Sequence, residues 1–131
     1  SSVRALAYAM DIASEANAEL TMLHVIELPP ELKEHPILAD FNVDHVRAAA
    51  EAECLRRLRA LIPESDRSEG AVEAVVREGV AYRQILRQAA EQGADLIVMG
   101  VQGRSALDRL LFGSNSQHVI RAATCPVLTV Q

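Results

Sequence analysis

Tryptophan does not occur in this chain, and phenylalanine and tyrosine occur only twice each. Too few aromatic faces exist to flank an isoalloxazine, and no G-x-G-x-x-G follows a first strand, which argues against a flavin or dinucleotide electron-transfer domain. Cysteine is equally scarce. Cys54 and Cys125 stand far apart, with no CxxC spacing and no signal-peptide pattern, so neither a disulfide framework nor a thiolate metal site is expected. Both read as buried free thiols in a reducing cytoplasm. Positive charge is not in excess: 13 Lys and Arg against 18 Asp and Glu give a net charge of −5 with no basic stripe. Charge-driven binding to nucleic acid or to an anionic membrane is thereby excluded. No apolar run approaches the roughly 18 residues that a membrane helix needs, so no membrane insertion is expected.

What remains is an apolar, regularly patterned chain. Half of its 131 residues are hydrophobic, enough for one core-bearing domain and too short for two ordinary ones, so a single domain over 1–131 is expected. Val3, Leu6, Met10 and Ala13 recur at three or four after Ser1 and Ser2, the pattern of a capped helix. Residues 20–26, LTMLHVI, read as a strand in which His24 is a packed residue rather than a ligand. Leu28-Pro29-Pro30 stops that strand, and 31–42, with Pro36, read as a loop or lid. From Val43 a helix places Val46, Ala50, Cys54 and Leu58 on one face, with Arg47, Glu51, Arg56, Arg57 and Arg59 largely elsewhere as a solvated face. Pro63 ends it, 64–70 is a polar linker, and 71–76 is a strand. Tyr82, Leu86, Ala89 and Ala90 mark a helix that closes at Gly93, and 126–130 supply a last strand. Strands alternating with helices at this spacing predict an α/β fold, a parallel sheet covered on both faces through right-handed crossovers. Ligands of such folds sit beyond the carboxyl ends of the strands.

The stretch 95–116, DLIVMGVQGRSALDRLLFGSNS, is where that edge carries chemistry. Leu96-Ile97-Val98-Met99 has the length and branching of a strand buried on both faces. Gly100 and Gly103 bracket a turn that lets another group approach the backbone closely. Gly113 precedes Ser114, Asn115 and Ser116, helix-opening residues set before a helical run over 117–123. Strand, glycine loop and helix N-terminus together suit an anion such as a phosphate.

Gly100-x-x-Gly103, nine residues, then Gly113-Ser114 resembles the G-2x-G-9x-G-[S/T] signature of the ATP-binding branch of the universal stress protein family. SVRALAYAM resembles that family's first helix, LHVIE at 23–27 its second strand, GRSALDRLLFGS its glycine loop and CPVLTV its last strand. The resemblance implies a Rossmann-like open parallel sheet of five strands, in a domain of the adenine nucleotide alpha hydrolase-like type. It implies that the Gly100, Gly103 and Gly113 backbones approach a triphosphate. Ser114 and Ser116 would donate to phosphate oxygens with the Asn115 amide between them, and Val25 and Met99 would lie beside adenine and ribose. Two departures stand out. Asn115 occupies a position where the family commonly has an aliphatic residue. The family's first strand and its Asp-x-Ser turn come before the point that Ser1 matches, so further N-terminal residues forming a buried central strand are expected in the native chain.

The expected function is that of an ATP-holding regulatory protein of the stress response. The loop lacks Lys in a GK[S/T] context and any base to aim a water, so hydrolysis would be slow at most. Asp108 and Glu27 are the nearest carboxylates to a metal-holding role and read as surface charges; Mg²⁺ would come with ATP, held by phosphates and water. The alternative is a nucleotide-free dimeric interaction module that regulates a protein partner. In either case a homodimer through Pro126 to Val130 is expected, because that strand is an edge, no Lys occurs after Lys33 to blunt it, and many family members dimerise there.

Overall fold

The computed structural model describes residues 2–27, 43–67, 70–101 and 114–131. The loop or lid expected at 31–42, Gly103, Asp108 and Gly113 lie outside the described residues. Among the described residues the elements follow in order: α1 (Ser2–Ala16), β1 (Leu20–Ile26), α2 (Val43–Ala60), α3 (Glu64–Arg67), β2 (Val72–Glu78), α4 (Ala81–Gln92), β3 (Ile97–Gly100), α5 (Ser114–Ala122) and β4 (Val127–Val130). The fold is α/β, as the alternating pattern predicts. Among the described residues the strands form two ladders, β1 with β2 and β3 with β4, rather than one continuous sheet. The chain divides accordingly into two compact bodies, one of residues 1–20 and 82–131 and one of 21–81.

In the first body β3 and β4 run parallel, with Ile97 opposite Val127 and Gly100 opposite Val130. The Ile97 N–H donates to Pro126 O (3.0 Å) and the Val101 N–H to Val130 O (2.9 Å). Alternation along a parallel ladder then fixes the remaining directions: Ile97 and Met99 bond toward β4, while Val98 and Gly100 turn their N–H and C=O away from it. Helix α1 packs on both strands. It buries Ala5 and Ala9 most deeply, with Leu6, Met10 and Ala13 of the expected row half-buried, while Val3 at the start of that row is 71% exposed. Alanines at i and i+4 let the helix lie close to the sheet, so the smallest residues go deepest. Val101, Val119 and Val130 complete this core.

In the second body the Gly79 N–H donates to Ile26 O (3.0 Å), so the carboxyl ends of β1 and β2 meet and the two strands run parallel. Helix α2 packs on β2. Its half-buried side runs through Arg47, Cys54, Leu55 and Leu58, so Cys54 and Leu58 of the expected face lie inward, whereas Val46 and Ala50, expected with them, are exposed. Arg47 Nε lies 2.9 Å from Glu78 Oε2, close enough for charge attraction although not aligned for a hydrogen bond. The expected linker after Pro63 holds a helical turn, α3, whose Asp66 and Arg67 N–H groups donate to Pro63 O. Arg67 also donates from Nε to Ile62 O (2.7 Å), just past the end of α2, and from Nη2 to Ala60 O (3.4 Å), the last carbonyl of that helix. His24 is exposed rather than packed, toward the carboxyl end of β1 beyond buried Met22. Cys54 and Cys125 are free thiols, half-buried rather than buried. No helix among the described residues is long and apolar enough to cross a membrane.

Candidate functional site

β3 ends at Gly100, and its buried successor Val101 extends the ladder by one bond to β4. The strand is four residues long. Gly100 is half-buried, lacks a Cβ, and directs its N–H and C=O away from β4. Helix α5 begins at Ser114, earlier than its apolar pattern alone suggests, so Ser114, Asn115 and Ser116 form its first turn. The N–H groups of a first turn have no intrahelical acceptor, and they sit at the positive end of the helix dipole. α5 carries no acidic residue in that turn, so nothing on the helix itself neutralises the end. Val119, fully buried, anchors the helix behind it.

The polar side chains of this turn differ in what they can offer. Ser116 is only 6% exposed, a buried hydroxyl at the helix start. Asn115 Oδ1 accepts the backbone N–H of Tyr82 at 3.2 Å, which leaves its Nδ2 free to donate elsewhere. Tyr82 is the second residue of α4, so Asn115 satisfies one of that helix's own open donors from across the body. One turn further along α5, His118 stacks on the Tyr82 ring, centroids 4.2 Å apart and planes 20° from parallel. Arg83 Nε donates to the Tyr82 hydroxyl at 3.1 Å.

Met99 is half-buried in β3, opposite Thr129. Val25 is half-buried in β1 and belongs to the 21–81 body. In that body Glu27, exposed, is more than a surface charge: its Oε1 accepts the Ala81 N–H at 2.8 Å, at the start of α4. Sequence reasoning missed Tyr82, His118 and the cap made by Glu27. Tyr82 is 33 residues from Asn115 and Glu27 is 54 from Ala81, and no local pattern announces pairs so distant. Among the described residues no cluster of three or more His, Cys, Asp or Glu could hold a metal ion.

The model of the universal stress protein family matches residues 1–131. The chain belongs to the universal stress protein family. It is 31% identical over 134 residues to universal stress protein YxiE of Bacillus subtilis, covering 99% of this chain and 90% of the relative. Among solved structures it is similar to the universal stress protein UspA of Lactobacillus plantarum, with TM-score 0.65 and 26% identity over 98% of this chain and 88% of that one. It is also similar to a universal stress protein crystallised in complex with cAMP, with TM-score 0.58 and 27% identity over 99% and 86% of the two chains. These likenesses extend over almost the whole length, so family membership covers both bodies.

Proposed function

We propose that this universal stress protein binds ATP at the carboxyl end of β3 and the N-terminus of α5, and acts as a regulatory nucleotide-binding protein of the stress response. The observation that carries the reading is the first turn of α5: Ser114, Asn115 and Ser116 open a nine-residue helix directly after the glycine motif. Such a turn offers amide and hydroxyl donors to a phosphate. The residues fit the group. Gly100 admits close approach, its backbone is not consumed by β4, and no carboxylate stands in the turn to repel an anion. A relative in complex with cAMP supports an adenine nucleotide as the ligand class. Bound ATP would supply a polyanion whose charge the helix end stabilises; Mg²⁺ would be held by its phosphates and water. The family resemblance alone assigns Gly103 and Gly113 to the phosphates, and Val25 and Met99 to the base and ribose. A single functional domain over 1–131, working in the cytoplasm, belongs to the same proposal.

The test is calorimetric titration with ATP, and with cAMP as comparator. Removing the Ser114 hydroxyl is expected to weaken ATP binding by about 1.5–3 kcal/mol, the worth of a hydrogen bond to a charged group. Gly113→Val is expected to block binding by filling the approach. Unchanged affinity in Gly113→Val places the site elsewhere.

The second reading, an interaction module, is favoured at β4. By the register its Val127 and Thr129 direct N–H and C=O outward, and Leu128 is 36% exposed. We infer a homodimer through this edge, compatible with either reading. Whether purified protein releases adenine nucleotide on denaturation separates ATP holder from nucleotide-free module.

A further inference from the structure

We infer that Asn115, Tyr82 and His118 form a clasp that sets the position of the α5 N-terminus, and that Asn115 serves nucleotide binding as a positioning residue through α4. The inference rests on the nucleotide reading above. Two independent contacts join the same pair of helices, and both lie in the 1–20 and 82–131 body. One is the Tyr82 N–H donating to Asn115 Oδ1. The other is the Tyr82–His118 ring stack. Residues 115 and 118 are three apart and so share one side of α5, and both meet the same residue of α4. A hydrogen bond alone leaves the helix free to pivot about one point. A stacked ring pair one turn away opposes that freedom, because displacement of either ring forfeits the stacking. Arg83 steadies the far end of the Tyr82 ring through the hydroxyl and lies over its face, 5.7 Å from the centroid.

The consequence falls on the phosphate-facing turn. Donors at a helix end hold an anion only where their N–H groups converge, and a small displacement of the first turn misaligns all of them together. Asn115 sits inside that turn, so it couples the turn to α4 directly. This gives a physical reason for an amide at position 115: an aliphatic side chain could fill the space but could not accept the Tyr82 N–H. With Oδ1 engaged, Asn115 faces a ligand at most through Nδ2.

Amide hydrogen exchange and ATP titration test this together. The second residue of a helix has no intrahelical acceptor, so protection of the Tyr82 amide reports on Asn115 without any nucleotide present. Asn115→Leu is expected to abolish that protection. Asn115→Asp, which keeps an acceptor oxygen, is expected to retain it while weakening ATP by charge repulsion. Tyr82→Ala and His118→Gln are each expected to weaken ATP binding about two- to tenfold, the range of an aromatic pair, and to speed exchange along α5. Tyr82→Phe, which keeps the ring, is expected to stay near wild type in both. His118 is exposed, so its substitution keeps the test available where Tyr82→Ala fails to fold. An unaltered Tyr82 amide rate in Asn115→Leu overturns the clasp. Unchanged ATP affinity in His118→Gln overturns its role in positioning. Wild-type protein that takes up no adenine nucleotide, with the amide protected as expected, overturns the nucleotide reading and the affinity claim with it while the contact itself stands.

Discussion

Glu53 receives Arg56 from two nitrogens, Nε at 2.9 Å and Nη2 at 2.8 Å, and Arg57 Nε at 2.9 Å. Hydrogen bonds from Arg56 and then Arg57 favour the ionised carboxylate and lower its pKa from 4.5 to about 2. A carboxyl depressed in the folded state contributes stability that is fully present above its unfolded value of 4.5 and lost as pH falls toward about 2. The cluster is solvent-exposed on α2, so salt screens it. NMR titration of Glu53 at low salt is therefore expected to give a midpoint near the lower value, moving up at high salt, and Glu53→Gln is expected to flatten the stability profile between those pH values. A Glu53 midpoint that ignores salt counts against the assignment. This cluster was legible from spacing, since 53, 56 and 57 are three and four apart on a helix. The functional residues were legible in type and not in use: Ser114, Asn115 and Ser116 mark a helix start, but only the fold shows that the Asn115 oxygen is spent on Tyr82.

Helix ends, at the next scale, are set by short-range chemistry and were correspondingly easy to read. At the end of α4 the Gly93 N–H reaches Ala90 O and the Ala94 N–H reaches Ala89 O, with Gly93 at φ +62°, the paired pattern that closes a helix through a left-handed residue. α1 ends the same way, with Asn17 at φ +50° in the glycine's place. Nothing lies within 4 Å of where a Gly93 Cβ would stand, so the cost of Gly93→Ala is purely conformational. It is expected to be about 1 kcal/mol in a denaturant titration, with Gly93→Asn losing less. A neutral Gly93→Ala would show that α4 can close another way. β1 falls at 20–26, as its apolar run indicates, because a strand bounded by breakers leaves little choice. The buried faces of α1 and α2 were harder. Which side of a helix goes inward depends on what it packs against, and Ala5 and Ala9 win over Val3 because close approach to β3 and β4 outweighs the larger side chain.

Across the whole molecule, strand alternation announces the α/β class, but hydrogen-bonding partners are a property of assembly. Nothing in LTMLHVI or LIVMG states that β1 pairs with β2 and β3 with β4. Register matters most for the dimer proposed at β4. The sequence alone makes Leu128, central in the strand, the obvious place to break a strand interface with proline. The register shows otherwise. Ile97 stands opposite Val127 and its N–H goes to Pro126 O, so Leu128 turns its N–H toward Ile97 O, inside the β3–β4 ladder. Proline at Leu128 would remove a bond that holds β4 in its own subunit, and loss of dimer would then report only misfolding. Thr129 has the opposite orientation: its N–H and C=O face the outer edge. Two copies of that edge, related by a two-fold axis, can pair antiparallel and satisfy each other's groups. Thr129→Pro removes one outward donor from each copy and leaves the inner ladder whole. Sedimentation is expected to show a dimer for the unmodified protein and a monomer of normal circular dichroism for Thr129→Pro. A folded Thr129→Pro variant that still dimerises would move the interface away from β4, and an unmodified protein that is monomeric at micromolar concentration would remove the dimer altogether.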